Sequence, residues 1–301
     1  MATAEAVVER GAPAEAAHGR SPAAAAWRRL VASPAARAGL VMVVVFVAIA
    51  VLTPAMHTYE ARTDANLTAR LKPPTTTHPF GTDSLGRDIM VRVLHATRVS
   101  LGLAISAVAV AAVIGAGLGF VAGYVRGRLD LVVMFCMDIV LAFPATLLAI
   151  AIVAMIGPGL RNSLFAISLV SIPAYARLSR SSVLALREQE FVMAAQSLGC
   201  TGSRVLLSHV VPNSLPPLIV QTTLSIAFAI LEAAALGFLG LGAQPPTPEW
   251  GAMLADSYKY FTSGAWWVFC FPGAAIMLSV LGFNLLGDGL RDALDPRLGR
   301  D

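Results

Sequence analysis

Two carboxylates, Asp138 and Glu232, stand inside stretches that are otherwise apolar. A charge placed in hydrocarbon costs at least about 3 kcal/mol, so such a residue persists where it has a partner or a task. Each is expected to face the interior of a helix bundle, bonded to an Arg or Ser of a neighbouring helix. The sharper alternative makes them part of a transport pathway or gate, as an ion-coupled carrier would require. Other chemistry finds little support. The five histidines, His18, His57, His78, His95 and His209, are too scattered for a helical zinc pair. Cys136, Cys200 and Cys270 share no metal-ligand spacing and read as packing residues. A protease pair of aspartates would need a second motif like the one around Asp138, and none exists. A phosphate-binding loop needs Gly-Lys-Ser/Thr, but Lys72 follows Leu71 and Lys259 follows Tyr258. The chain is therefore expected to be no enzyme, and to hold neither metal nor cofactor.

The elements that position these residues are membrane spans. Of the 301 residues, 56% are hydrophobic and 13% charged, with a mean hydropathy of +0.71. Soluble domains carry about 25% charged residues, so the expectation is an all-α integral membrane protein in contact with lipid. The net charge is only +4, with no basic runs interleaved with aromatics, which argues against nucleic acid as a partner. A span needs roughly 20 apolar residues. Six candidates follow, at 38–56, 99–124, 131–156, 163–178, 217–241 and 266–286. Residues 1–37, rich in Ala, Pro and Glu, have no signal-peptide core and are expected to form a disordered cytoplasmic tail, with Trp27 at the membrane surface. Residues 57–98 form an extracytoplasmic loop, 99–290 a core of five spans, and 291–301 a second tail. With the N-terminus inside, the inner segments hold 14 of the 22 basic residues. The positive-inside rule then places both termini, and residues 190–216, in the cytoplasm. Asp138 lies seven residues past Leu131, about 10 Å in from the cytoplasmic end of its span. Gly115, Gly119 and Gly123 form a small-xxx-small ladder that predicts close helix packing.

The cytoplasmic segment 190–216 reads "EFVMAAQSLGCTGSRVLLSHVVPNSLP". Glu190 to Leu198 can form about two helical turns, with Ala194 and Ala195 as a flat, small face. Gly199 fits the left-handed position after a helix. Ser203 can cap a second helix, stopped by Pro212. On the residues alone, this compact projection is either a docking site for another chain or an interfacial linker lying on lipid headgroups. Two outer stretches also stand out. "GTDSLGRD" (Gly81, Thr82, Asp83, Gly86, Arg87 and Asp88) fits a capped helix start with Asp83 as N-cap and Arg87 and Asp88 solvated, or an exposed interface. "QPPTPEWG" is a stiff loop whose Trp250 suits the outer membrane surface, as an anchor or a contact.

Several of these stretches carry a resemblance. "MAAQSLG" with the "HVVP" that follows nine residues later resembles the cytoplasmic EAA loop of ABC-importer permeases, with Ala194, Ala195, Gly199 and Pro212 in register. Met193 stands for the pattern's Glu, with Glu190 one turn earlier, His209 for Ile and Val211 for Leu. The His209-to-Asn213 ending looks like the variant of peptide and nickel permeases. "HPFGTDSLGRDIMVRVLHATRVSLG", "EAAALGFLGLGAQPPTPEWGAML" and "NLLGDGLRDALDPRL" are similar to further segments of that subfamily, although Val91 replaces a usual Ser and Ala96 a usual Gly. The resemblance implies a type I importer permease of the dipeptide/oligopeptide/nickel class, working by alternating access. It implies a second permease, an extracytoplasmic binding protein that delivers peptide, and two cytoplasmic ATPases that bind Mg-ATP. Glu190, Ala194, Ala195, Leu198, Gly199, His209, Pro212 and Asn213 would then couple the chain to an ATPase. Gly81, Thr82, Asp83, Gly86, Arg87, Asp88 and Trp250 would form an extracytoplasmic interface. Nickel or another small ligand is the alternative cargo.

Overall fold

The computed structural model describes residues 22–56, 59 and 65–294. The described residues are helical throughout, apart from connecting loops and one isolated bridge between Thr82 and Asp88. Helix α1 (Pro22–Ala32) precedes α2 (Pro34–Met56), and each opens on a proline, where the missing N–H costs no helical bond. Residues 22–32 and 34–37 are thus helical, which corrects the expected disordered tail there; residues 1–21 lie outside the described residues. Alanine-rich sequence is strongly helix-forming, and Leu30 and Ala36 find cover against Ala293. Val41, Val44 and Val51 of α2 face outward, as lipid contact requires.

The long α3 (Ile89–Val125) is the axis of the bundle and packs most extensively on α6 (Leu160–Arg187). The glycine ladder makes this possible. A Cβ on Gly119 would strike the Ala176 carbonyl and the Ser179 hydroxyl, and one on Gly115 would strike the Ile172 carbonyl. Because α3 starts at Ile89, residues 89–98 belong to the helix and not to the expected outer loop.

The expected third span at 131–156 is broken. Helix α4 (Gly127–Leu141) meets α5 (Ala145–Ile156) at an angle of 88°. The break falls at Phe143-Pro144: the residue before a proline avoids the helical region and the proline supplies no N–H.

After α6 come α7 (Glu190–Ser197), the one-turn α8 (Gly202–Val205), a π turn (Leu206–Val210) and α9 (Val211–Phe238). α10 (Trp250–Tyr258) and α11 (Trp267–Leu294) complete the chain. Pro212 does not stop the helix as expected. The chain stays helical from Gly202 to Phe238, widening into the π turn just before the proline. Nor does Ser203 cap it: Thr201 occupies that position, without a side-chain bond. Among the described residues, four helical runs are long and apolar enough to cross a membrane, and the broken α4–α5 pair would make a fifth. The fourth expected span, 163–178, lies within α6, which has the length but is interrupted by serines and arginines. The apolar core of the bundle is built mainly from α3, α6, α9 and α11.

Candidate functional site

The projection formed by α7 and α8 is built around one turn. Leu198 ends α7, and Gly199 follows at φ +83°. The Gly199 N–H donates to the Gln196 carbonyl (2.9 Å) and the Cys200 N–H to the Ala195 carbonyl (3.1 Å). That pair of bonds is a Schellman motif, which glycine adopts without a Cβ penalty. A Cβ at Gly199 would meet no atom within 4 Å, so the constraint there is backbone conformation and not space.

A small apolar core supports the turn. Val183, Val192, Ala195, Val205 and Val210 are buried together, against Phe120 and Tyr124 at the C-terminal end of α3. Val205 and Val210 are five residues apart, and the π turn between them places both on the buried face. Ala195 therefore points inward, correcting the expected two-alanine outer face, while Ala194 is exposed. Asn213 donates to the His209 carbonyl (2.6 Å), bracing the chain beside Pro212. The outward side carries Phe191, Met193, Leu207 and, at 86% exposure, Leu198. Glu190, Gly199, Pro212 and Asn213 are also exposed, and His209 is half-buried.

The GTDSLGRD motif is an internal clasp, not the exposed surface expected. Asp83 is buried; its Oδ1 accepts from the Leu85 and Arg87 backbone N–H groups, and its Oδ2 from Arg87 Nε (2.7 Å) and Arg92 Nη1 (2.6 Å). The cap of α3 is Asp88, whose Oδ1 accepts from the Val91 N–H, while its Oδ2 pairs with His78. Thr82 is buried, its carbonyl taking the Trp267 indole N–H, and Gly81 packs against that same ring. Gly86 has φ +76°, and a Cβ there would overlap the Asn66 carbonyl. The arginine that completes the clasp, Arg92, lies just past the motif in α3 and escaped sequence reasoning.

Trp250 is likewise not a surface anchor. It is fully buried, with Nε1 donating to the Val93 carbonyl. Beside it, Glu249 caps α10 and takes bonds from the Gly251 and Ala252 N–H groups and the Ser100 hydroxyl. Burial pushes the Glu249 carboxyl above its ordinary value, opposed by those donors. A glutamate just before a short helix was the available signal.

Within the spans, Asp138 of α4 accepts from Arg177 Nη2 of α6 (2.6 Å), but both side chains are more than half exposed, which corrects the expected inward orientation. Glu232 of α9 is buried and accepts from the Thr146 hydroxyl at the start of α5 (2.6 Å), leaving Oε2 without a partner. Among the described residues no group of His, Cys, Asp and Glu could hold a metal ion.

Comparison with known proteins bears on the whole chain. A family model described as binding-protein-dependent transport system inner membrane component matches residues 115–300, and one for the N-terminal transmembrane domain of oligopeptide transport permease C matches residues 21–74. The dipeptide transport system permease protein DppC of Alkalihalophilus pseudofirmus is 49% identical over 278 residues, 92% of this chain and 91% of that protein. The probable D,D-dipeptide transport system permease protein DdpC of Escherichia coli is 45% identical, over 89% of each chain. The glutathione transport system permease protein GsiD of Pectobacterium atrosepticum is 43% identical, over 93% of this chain and 92% of that one. The solved MetNI methionine ABC transporter, in an inward-facing crystal form, overlays with a TM-score of 0.56 at 18% identity, over 69% of this chain and 98% of that one. That last likeness concerns the fold alone.

Proposed function

Because the chain belongs to the family of binding-protein-dependent transport system inner membrane components, we propose that it is one permease of an importer that moves di- or oligopeptides inward by ATP-driven alternating access. A second, related permease completes the pathway, an extracytoplasmic binding protein delivers the peptide, and cytoplasmic ATPase chains bind and hydrolyse Mg-ATP. Both termini lie in the cytoplasm, on the side of the α7–α8 projection. Peptide cargo follows from the relatives' names, which speak of dipeptide, D,D-dipeptide and glutathione transport. ATP binding draws the two ATPases together; each carries a permease projection with it, and the bundle changes the side to which it opens.

The observation that carries this reading is the α7–α8 turn. It presents exposed Phe191, Met193, Leu198 and Leu207 from a base with its own apolar core, and exposed apolar side chains clustered on one projection mark a protein-binding surface. The test is a mild-detergent pull-down of the tagged chain, with partners identified by mass spectrometry, beside Leu198→Glu and Gly199→Arg. Recovery of a second permease and a P-loop ATPase, with only the ATPase lost in the variants, is expected. Normal transport by Gly199→Arg removes the coupling assignment. A chain that purifies alone and moves substrate on a proton gradient without ATP sinks the importer reading.

A further inference from the structure

The Arg177–Asp138 pair sits where a lipid-facing surface cannot afford it. Both side chains are more than half exposed, at 54% and 59%. Its depth follows from α3. Ala176, beside Arg177, touches Gly119, six residues before the helix ends at Val125, or about 9 Å inside the bundle. The neighbours of Asp138 on α4 are outward-facing and apolar, with Phe135 62% and Ile139 49% exposed. A short carboxylate in that position cannot reach headgroup water as lysine or arginine stems do. Hydrocarbon would penalise both exposed charges here, so a polar surrounding suits this face better.

The pair is also not what ties α4 to α6. Three residues further along α6, Arg180 already holds Asp130 with two bonds, Nε to Oδ1 (2.6 Å) and Nη2 to Oδ2 (2.7 Å), in a half-buried setting. Arg177 uses a single nitrogen and Asp138 a single oxygen. Their remaining donors and acceptor face outward.

We propose that Arg177 and Asp138 are a substrate-contact pair on the wall of the translocation pathway, meeting the charged groups of a passing peptide, carboxylates at Arg177 and ammonium groups at Asp138. The inference rests on the peptide-importer reading above. The two residues neutralise each other while the path is empty, and exchange that contact for the peptide's charges one at a time. The exchange keeps either charge from standing uncompensated in a poorly hydrated passage.

The assay is ATP-dependent uptake into proteoliposomes holding the full complex with its binding protein, using alanyl-lysine and alanyl-aspartate, which share free termini and differ in net charge. Asp138→Asn is expected to lower uptake of alanyl-lysine relative to alanyl-aspartate about fivefold, the size of one unit-charge contact in wet surroundings. Arg177→Gln is expected to shift the ratio the other way. The exchanged variant, Asp138→Arg with Arg177→Asp, keeps the pair and should keep the wild-type ratio. Equal loss of both peptides in the single variants, whether from slow transport or failed assembly, marks a purely structural tie and overturns the proposal, as does an unchanged ratio. Absence of ATP-driven uptake of either peptide by the wild type overturns the importer reading instead.

Discussion

Glu249 is 1% exposed, yet both of its oxygens take hydrogen bonds, from two backbone N–H groups at the start of α10 and from Ser100 of α3. Asp83 is treated in the same way by Arg87, Arg92 and two backbone donors. Buried carboxylates of this kind add little net stability, but removing one leaves donors unpaired at about 1–3 kcal/mol each. The two differ in how charge is balanced, since Asp83 has arginine partners and Glu249 has only neutral ones. Burial raises the Glu249 carboxyl above its ordinary value, so the folded protein holds its proton more tightly than the unfolded chain does. That contribution to stability is complete below the ordinary carboxyl range and is lost as pH rises through the raised value. Glu249→Gln lacks this titration and one acceptor oxygen. The wild type should therefore melt above the variant in detergent, by a margin that widens from pH 8 to pH 5. A margin that narrows on acidification would mean that the three donors outweigh burial.

At the scale of elements, the α3–α6 seam follows from backbone contact, and its cost is testable. Gly119→Leu must push apart the Ala176 backbone and the Ser179 side chain, whereas a Cβ at Gly117 meets nothing within 4 Å. Overpacking of this kind costs about 1–3 kcal/mol, and more where backbone must move. Gly119→Leu should lower the melting temperature and the yield of folded chain, while Gly117→Leu leaves both near wild type; equal effects would remove the seam as the organising contact. This seam was legible in the sequence because only small residues permit such approach, so the ladder itself is the signal. The α4–α5 break was written there too, in Phe143-Pro144, but the largely apolar run from Leu131 to Ile156 concealed it. The clasp and Trp250 were not legible. Asp83 is completed by an arginine beyond its motif, Thr82 by Trp267, and Trp250 by Val93 and Ser100. The Asp83–Arg92 contact spans only nine residues but crosses from loop to helix, while the other three span 150 or more and leave no local pattern, so a polar loop buried by them reads as an exposed one. Helix α1 went unread because its alanines resemble a low-complexity tail until α11 is available to pack against.

Across the whole molecule, two of the three apolar cores among the described residues are joined end to end. The large one fills the bundle, and the small one, Val183, Val192, Ala195, Val205 and Val210, holds the projection. They meet at Phe120 and Tyr124 of α3, where Arg187 donates to the Tyr124 carbonyl (3.0 Å), and along the helical run from Gly202 to Phe238. A push on the projection thus reaches the level of Glu232 through one continuous helical element, without crossing a loop. Because the small core shares few side chains with the large one, the projection should loosen separately. Val192 is fully buried there, and placing an amide in its site costs about 1–3 kcal/mol. Val192→Asn is expected to raise amide hydrogen exchange across residues 190–210 while leaving the bundle helices protected, and to abolish binding-protein-stimulated ATP hydrolysis by the assembled complex. Ile230→Asn, in the large core, should raise exchange in both regions and reduce assembly itself. If Val192→Asn unprotects α3 and α9 along their length, the two cores unfold as one, and the projection is an inseparable part of the bundle and not a seat that can move against it.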